Sequence, residues 1–328
     1  MGLFILTLAV CLFFAFWNGF SDAANAIATI VATRVLKPGQ AVALSALGNF
    51  LGILLGTAVA ATIGKGIIDP GIITYKLILA ALIGGLIFDV ATWFFGLPIS
   101  ESHVLIGGLI GAGVTAAKDF SVVNANGILH SVLIPMIASP AISFTFTFLF
   151  IALIIRLFIR FSAQKINPYF RYLQIGSSFF FSITHGSNDG QKVMGILTIL
   201  LLQQGFLSTF AVPWWVIISV NLTIALGTLL GGWKIVKTMA KKITKLRPYQ
   251  GFSAETASAI VLATSSYLGF PVSTTHAISG SIMGVGATRS SRAVSWGTAR
   301  KIVFAWFLTI PASAFFAMVV YILLDKII

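Results

Sequence analysis

The chain has 328 residues, of which 58% are hydrophobic and only 9% are charged, and its mean hydropathy is +1.00. A soluble domain carries about a quarter charged residues, whereas the apolar runs here are long enough to cross a bilayer as helices. This composition excludes a soluble globular protein and predicts an all-α polytopic membrane protein. The net charge of +13 does not indicate nucleic-acid binding, because the basic residues fall in short loops between apolar segments.

The first apolar segment, residues 3–21, has no charge and no basic leader, so we interpret it as a transmembrane helix and not a signal peptide. Further along the chain, four clusters hold most of the basic residues: Arg34 and Lys37, then residues 156–171, 234–247 and 289–301. The positive-inside rule places these clusters in the cytoplasm. The remaining loops combine Lys65, Lys76, Lys118 and Lys326 with Asp69, Asp119 and Asp325, which favours the outside. We therefore predict a multi-pass protein of the inner membrane with both termini external.

Two polar hexapeptides interrupt the apolar pattern: PISESH at residues 98–103 and PVSTTH at residues 271–276. The first lies in the middle of residues 77–117, a stretch that must begin and end outside, as two crossings or as a helical hairpin. The second lies in residues 248–288, which must begin and end inside. The sequence thus predicts two hairpin tips that enter from opposite sides.

The hexapeptides belong to an internal repeat. Residues 98–113 and 271–286 share a proline, a serine, a histidine and three glycines, and NGFSDAANA (18–26) matches HGSNDGQK (185–192) through a glycine and an aspartate. The pattern predicts a first repeat over 1–155, a basic cytoplasmic linker over 156–171 and a second repeat over 172–328. Repeats of inverted topology, with paired hairpins meeting at mid-membrane, are typical of secondary transporters that work by alternating access.

A helix that begins inside the membrane leaves its first N–H groups without partners, and these groups together with the helix dipole favour an anion. Serine and threonine hydroxyls surround both predicted helix starts, at Ser100, Ser102, Ser273, Thr274 and Thr275. The two tips are therefore predicted to hold one tetrahedral anion between them. Glu101 does not suit an anion, and it fits better beside a bound cation or facing away from the anion.

A second set of polar residues is rich in oxygen. Asp22 and Asn25 share a helix face, and Asn188 and Asp189 are adjacent in the matching motif. Carboxylates embedded in a membrane are costly and are functional by default. These oxygens suit a hard cation such as sodium, or a proton carried by the acid itself, and Glu255 is a third candidate. Lys192 is either an anion-seeking charge or the counter-ion of Asp189, and the second interpretation is preferred.

Other classes of function fit less well. A channel would need a ring of repeated pore-lining groups, and the sequence shows a two-fold repeat instead. An intramembrane hydrolase would use a serine and a histidine of a hexapeptide. However, Ser102 and His103 are neighbours in sequence and point about 100° apart on a helix, which does not suit a nucleophile and its base. We therefore expect no enzyme activity.

The segments NGFSDAANAIATIVATR, HGSNDGQKVMG, GFSAETASA and PVSTTH resemble the inorganic phosphate transporter (PiT) family, and HGSNDGQK resembles its bacterial branch. The resemblance covers both halves of the chain. It implies secondary uptake of inorganic phosphate coupled to a cation, inverted repeats with hairpins meeting at mid-membrane, and a homodimer. The family's paired aspartates fall on Asp22 and Asp189, and its glutamate falls on Glu255. The chain departs from the family at SESH in the first hairpin, and at Asn49, where some members carry a second glutamate.

On this basis the sequence predicts a symporter that brings inorganic phosphate across the lipid bilayer with Na⁺, without a cofactor or a transition metal. The predicted phosphate-binding residues are Ser100, Ser102, His103, Gln191, Ser273, Thr274 and Thr275. The predicted sodium-binding residues are Asp22, Asn25, Glu101, Asn188, Asp189 and Glu255. Coupling to protons, and transport of another oxyanion such as sulfate, are the alternatives.

Overall fold

The computed structural model describes residues 2–327, except for the side chains of Lys65, Ala163, Lys241 and Lys242. The positive charges of Lys65, Lys241 and Lys242 helped to assign loops to one side of the membrane, and these side chains lie outside the described residues. The α-helices are α1 (Gly2–Ala32), α2 (Pro38–Leu51), α3 (Ala58–Gly66), α4 (Tyr75–Phe95), α5 (Glu101–Ala117), α6 (Ala125–Ile128), α7 (Ile134–Phe158), α8 (Ala163–Gln203), α9 (Trp214–Leu230), α10 (Trp233–Lys242), α11 (Pro248–Tyr267), α12 (Thr274–Arg289) and α13 (Trp296–Asp325). Within residues 2–327, extended backbone pairs only in a bridge between Ile68 and Val123. The all-α prediction is confirmed.

Several helices are suited to a membrane. Among the described residues, five helical stretches are long and apolar enough to cross it: α1, residues 38–55, α4, residues 125–158 and α13. Helices α9 and α10 form one further apolar stretch, bent by 72° at its break. Leucine, isoleucine and phenylalanine side chains on the outer faces of these helices are widely exposed, as lipid contact requires. The chain is a multi-pass membrane protein.

The two predicted hairpins are present. Helices α4 and α5 form the first, and α4 ends at Gly96, which has a φ of +65° and bonds the carbonyl of Trp93 at 2.9 Å. Helices α11 and α12 form the second, where Gly269 has a φ of +79° and bonds the carbonyl of Ser266 at 3.1 Å. Glycine adopts this left-handed conformation without a steric penalty and is common where helices end. Each hairpin therefore reverses the chain just before its polar hexapeptide.

Glycines let the second helix of each hairpin approach its neighbour closely. A Cβ on Gly111 of α5 would lie 2.1 Å from the carbonyl oxygen of Ala314 in α13. A Cβ on Gly284 of α12 would lie 2.5 Å from the carbonyl oxygen of Phe144 in α7. These distances are far too short for any side chain, so the repeated glycines serve helix packing, as small residues do in membrane proteins.

The packing connects the first part of the chain to the last. Helix α5 packs on α13 and α12 packs on α7, while α1 packs on α9 and α2 packs on α8. Each pairing joins a helix of one predicted repeat to a helix of the other. If each helix is replaced by its counterpart in the other repeat, the pairing of α5 with α13 becomes that of α12 with α7, and the pairing of α1 with α9 becomes that of α8 with α2. Residues 156–171, predicted as the linker, run from the last turn of α7 through a short loop into α8.

Loops that the charge pattern assigned to one side of the membrane meet in space. The guanidinium of Arg171 donates to the carbonyl oxygens of Arg34 and Val35, at 3.2 and 3.4 Å. Arg171 also lines a groove with Lys37 and Lys245. At the ends assigned to the outside, the ammonium of Lys76 pairs with the carboxylate of Asp325.

Candidate functional site

Each hairpin tip starts a helix in the same way. Helix α5 begins three residues after Pro98, and the hydroxyl of Ser100 accepts a hydrogen bond from the backbone N–H of His103 at 3.3 Å. Helix α12 begins three residues after Pro271, and the hydroxyl of Ser273 accepts from the N–H of His276 at 3.2 Å. Serine is a favoured N-cap because its oxygen satisfies one of the free donors of the first turn.

The two tips contact each other in the protein interior. The hydroxyl of Ser102 donates to the carbonyl of Val272 at 3.1 Å. The ring centroids of His103 and His276 lie 4.9 Å apart in an edge-to-face arrangement, and His276 stacks on Trp306 at 3.9 Å. The side chains of this contact are all buried: Ser102, His103, His276 and Trp306. Two helix starts therefore converge in one place, as the sequence predicted from the hexapeptides.

The second tip binds the aspartate motif of α1. The side-chain amide of Asn25 donates to the hydroxyls of Thr274 and Thr275, at 3.2 and 2.9 Å. The same two hydroxyls donate to the carboxylate of Asp22, each at 3.4 Å. The side-chain oxygen of Asn25 has no hydrogen-bond partner among the described residues. A carboxylate, a side-chain amide and two hydroxyls are thus joined by hydrogen bonds next to the start of α12.

The matching motif of α8 joins the same cluster. The hydroxyl of Thr274 also donates to the carboxylate of Asp189 at 3.3 Å. The ammonium of Lys192 pairs with Asp189 and donates to the carbonyl of Val272 at 3.1 Å. The imidazole Nε2 of His185 lies 3.2 Å from the other carboxylate oxygen of Asp189. Asp22, His185 and Asp189 each offer one ligand atom, and these atoms lie within 4.8 Å of one another.

The first tip has a different neighbourhood. The hydroxyl of Ser21 donates to Oε1 of Glu101 at 2.5 Å, whereas Oε2 has no partner among the described residues. The carboxylate of Asp89, from α4, lies in electrostatic contact with Glu101. Both carboxylates are buried. Two anionic groups held together away from water require a compensating cation or proton.

Comparison with known proteins gives a consistent result. The sequence profile of the phosphate transporter family matches residues 18–167 and 160–317, nearly the whole chain. The chain belongs to this family. A protein of Rhizobium meliloti named "Probable low-affinity inorganic phosphate transporter" is 50% identical over 322 residues, which are 98% of this chain and 96% of that protein. A Bacillus subtilis protein of the same name is 40% identical over 98% of this chain and 97% of its own length.

A solved structure is similar to this family member over its whole length. The structure titled "The sodium-dependent phosphate transporter" has a TM-score of 0.90 and 25% sequence identity, and the match covers 100% of both chains. The relatives are named as transporters, in agreement with the prediction that the chain is not an enzyme.

Three of the residues predicted for the site of this transporter-family protein point elsewhere. The side chain of Gln191 accepts from the N–H of Val59 at 2.8 Å and donates to Ser187 at 2.9 Å, so it joins α8 to α3. The side-chain NH2 of Asn188 donates to Ser266 of α11 at 2.9 Å, while its side-chain oxygen, like that of Asn25, has no hydrogen-bond partner among the described residues. Glu255 accepts from Thr29 at 2.6 Å, from Gln174 at 3.0 Å and from Ser177, and is enclosed by these neutral donors.

Four residues of the site were absent from the predicted ligand sets: Ser21, Asp89, His185 and Lys192. The preferred interpretation of Lys192 as the counter-ion of Asp189 is nevertheless confirmed by their ion pair. Two of the four carried a signal in the sequence. Ser21 precedes Asp22 directly, and Lys192 takes in HGSNDGQK the place that Asn25 takes in NGFSDAANA. Asp89 carried only the general signal of a carboxylate in an apolar segment, because its place beside Glu101 depends on how the first hairpin folds back on itself.

Proposed function

We propose that this chain imports inorganic phosphate together with cations, and that sodium is the preferred coupling ion. The observation that carries the proposal is the meeting of two capped helix starts, one of which is bound to a pair of buried aspartates. Helix starts supply N–H donors and positive potential for an anion. The aspartates supply negative charge for a cation. A site with both features side by side suits a symporter.

Phosphate would lie between the tips. Ser102 and His103 at the first tip, and Thr274 and Thr275 at the second, present their polar atoms to the shared interior. Ser100 and Ser273 would act indirectly, because their hydroxyl oxygens already cap α5 and α12. The position of Gln191 between α3 and α8 does not favour contact with phosphate.

The cation would lie beside the phosphate, at Asp22 and Asn25. Carboxylate, amide and hydroxyl oxygens are the ligands that hard cations prefer, and the free side-chain oxygen of Asn25 faces no donor among the described residues. Electrical energy gives a reason for coupling. An anion entering a cell against a negative interior needs accompanying positive charge, since each charge is worth about 2.3 kcal/mol per 100 mV.

A proton in place of sodium is the second candidate, and the first tip is the feature that favours it. Glu101 and Asp89 are buried together, and one proton shared between them would relieve their repulsion. Phosphate is preferred over sulfate for a related reason. Phosphate carries a proton at neutral pH that a nearby carboxylate can accept in a hydrogen bond, whereas sulfate has no such donor.

The repeats would give alternating access. Each hairpin packs on the last long helix of the other repeat, so a rotation of one such unit against the rest would open the tips to one side and then to the other. We further propose a homodimer in the inner membrane with both termini external. A cysteine at Arg160, introduced after Cys11 is replaced, should react with an impermeant reagent only from the cytoplasm, and labelling from outside would reverse this orientation.

Uptake of radiolabelled phosphate into proteoliposomes tests the function. Sodium and proton gradients are imposed separately, and sulfate is added as a competitor. We expect uptake driven by an inward sodium gradient and not inhibited by sulfate. Uptake driven by protons alone would support the second candidate. Absence of phosphate uptake under both gradients would contradict the proposal.

A further inference from the structure

Lys192 occupies an unusual position for a lysine. It lies in the buried centre of α8, and its ammonium contacts the carboxylate of Asp189 and the carbonyl of Val272. Val272 belongs to the unwound stretch before α12, where backbone carbonyls are not used by a helix. Carboxylate oxygens are ligands that hard cations prefer, and transporters bind sodium with backbone carbonyl oxygens at helix breaks. The ammonium therefore stands where a metal cation would be expected.

The internal repeat supplies an independent comparison. When Asp22 is aligned with Asp189, Asn25 falls on Lys192, three residues further along in both motifs. The first repeat thus has a neutral amide where the second has a charged amine. At Asn25 the side-chain oxygen has no hydrogen-bond partner, and Asp22 forms no direct salt bridge with a lysine among the described residues, although Lys192 lies close enough to act on its charge. The two corresponding positions thus differ in whether the protein brings its own positive charge.

We propose that Lys192 is a built-in cation that permanently compensates Asp189, so that sodium enters the shared cluster only on the side of Asp22 and Asn25. The inference rests on the proposed function, since it concerns the ions that accompany phosphate. The positive charge at Asp189 then belongs to the chain and is not released with the substrate. The number of sodium ions moved per phosphate is accordingly one lower than in a protein with an asparagine at this position.

A simple structural ion pair predicts a different behaviour. If Lys192 only compensated Asp189, its removal would leave a buried carboxylate and would weaken the protein in every salt. If Lys192 stands in for sodium, its removal opens a site that sodium can enter, and sodium then restores both the charge and the stability. The two roles are distinguished by whether sodium restores the stability of a variant without Lys192, since a loss of stability alone is expected for both.

The variant Lys192→Asn tests this proposal because it gives the second repeat the residue of the first. In proteoliposomes, initial fluxes of labelled sodium and labelled phosphate are measured together. We expect the ratio of sodium to phosphate to rise by one ion relative to the unchanged protein. Lys192→Arg keeps the charge and should retain the original ratio. The double variant Asp189→Asn/Lys192→Asn removes the charge pair and should not gain the additional ion.

Thermal stability supplies a readout that does not depend on transport. Without phosphate, the melting temperature of Lys192→Asn should rise with sodium more steeply than that of the unchanged protein, and choline should not replace sodium. An unaltered flux ratio together with an unaltered sodium response would overturn the proposal, as would a variant that fails to fold even in high sodium. Absence of phosphate uptake by the unchanged protein would instead contradict the proposed function, so the two failures are distinguishable.

Discussion

At the first hairpin tip, Ser100 caps α5 and His103 meets the other tip, and at the second, Ser273 and His276 take the same places in α12. The next positions differ. Glu101 at the first tip binds Ser21 and faces Asp89, whereas the two threonines of the second tip bind both aspartate motifs. The residues that are repeated therefore build two similar helix starts. The residues that differ give the first tip a buried carboxylate and give the second tip hydroxyls that bind the aspartates.

The largest effect is expected where the second tip meets α1. In Asp22→Asn the carboxylate that accepts from both threonines is lost, and with it the negative charge for the cation. Labelled phosphate uptake should fall to the level of empty liposomes, while the amount of protein in the membrane stays the same. Asp119→Asn is a suitable control, because Asp119 lies in an exposed loop and bonds its sequence neighbours there, such as Ser121. Near-normal transport by Asp22→Asn would remove this residue from the mechanism.

The shared scaffold should be equally sensitive at both tips. Gly111→Ala and Gly284→Ala each place a Cβ against a backbone carbonyl, at 2.1 and 2.5 Å. Overpacking of this kind costs about 1–3 kcal/mol, so both variants should lower the melting temperature of the purified protein. Gly39→Ala provides the control, since a Cβ there has nothing within 4 Å. A fall at one glycine without a fall at the other would mean that the two hairpins are not supported in the same way.

Exchanging the residues that differ sharpens the comparison. Glu101→Thr gives the first tip the residue of the second and removes a buried carboxylate. If Glu101 contributes its negative charge to the coupling cation, an interaction of ~1.5–3 kcal/mol with a charged group is lost. The half-saturating concentration of the cation should then rise about tenfold or more, measured by uptake over a range of sodium or proton concentrations. Glu101→Gln keeps an oxygen that can accept the hydrogen bond from Ser21 but removes the negative charge, so it separates the effect of the charge from that of the hydrogen bond. An unchanged cation dependence in both variants would place Glu101 outside the cation site.

The smallest effect is expected at a single hydroxyl. Thr275→Ala removes the hydroxyl that bonds Asn25 and Asp22 and that is proposed to bind phosphate. Loss of a hydrogen bond to phosphate of ~1 kcal/mol should raise the apparent KM for phosphate about fivefold, a larger change than that in the cation dependence. Thr275→Ser keeps the hydroxyl and should stay close to the unchanged protein. A shift in cation dependence alone would show that Thr275 serves the cation and not the anion.

Much of the architecture could be predicted from the sequence. The basic clusters and the repeated hexapeptides indicated both hairpins and the convergence of their tips, because charge sets topology and a repeat sets equivalent positions.

Side-chain partners were harder to predict. Glu255 stands alone among weakly polar residues in sequence, and its partners Thr29, Gln174 and Ser177 come from α1 and α8. Gln191 lies beside the aspartate motif but turns away towards α3. The pairing of Asp89 with Glu101 also depends on tertiary packing. Such contacts are set by the rotation of each helix about its axis, which small differences in packing decide.

The measurement that tests the central claim most directly is phosphate protection of single cysteines at the two tips. Ser102→Cys and Thr275→Cys are made separately in a Cys11→Ala background, and their reaction with a small thiol reagent is followed as phosphate is added in sodium. If both tips hold one anion, phosphate should slow both reactions with the same half-maximal concentration. Protection of only one cysteine, or of the two at clearly different concentrations, would contradict a single site between the tips.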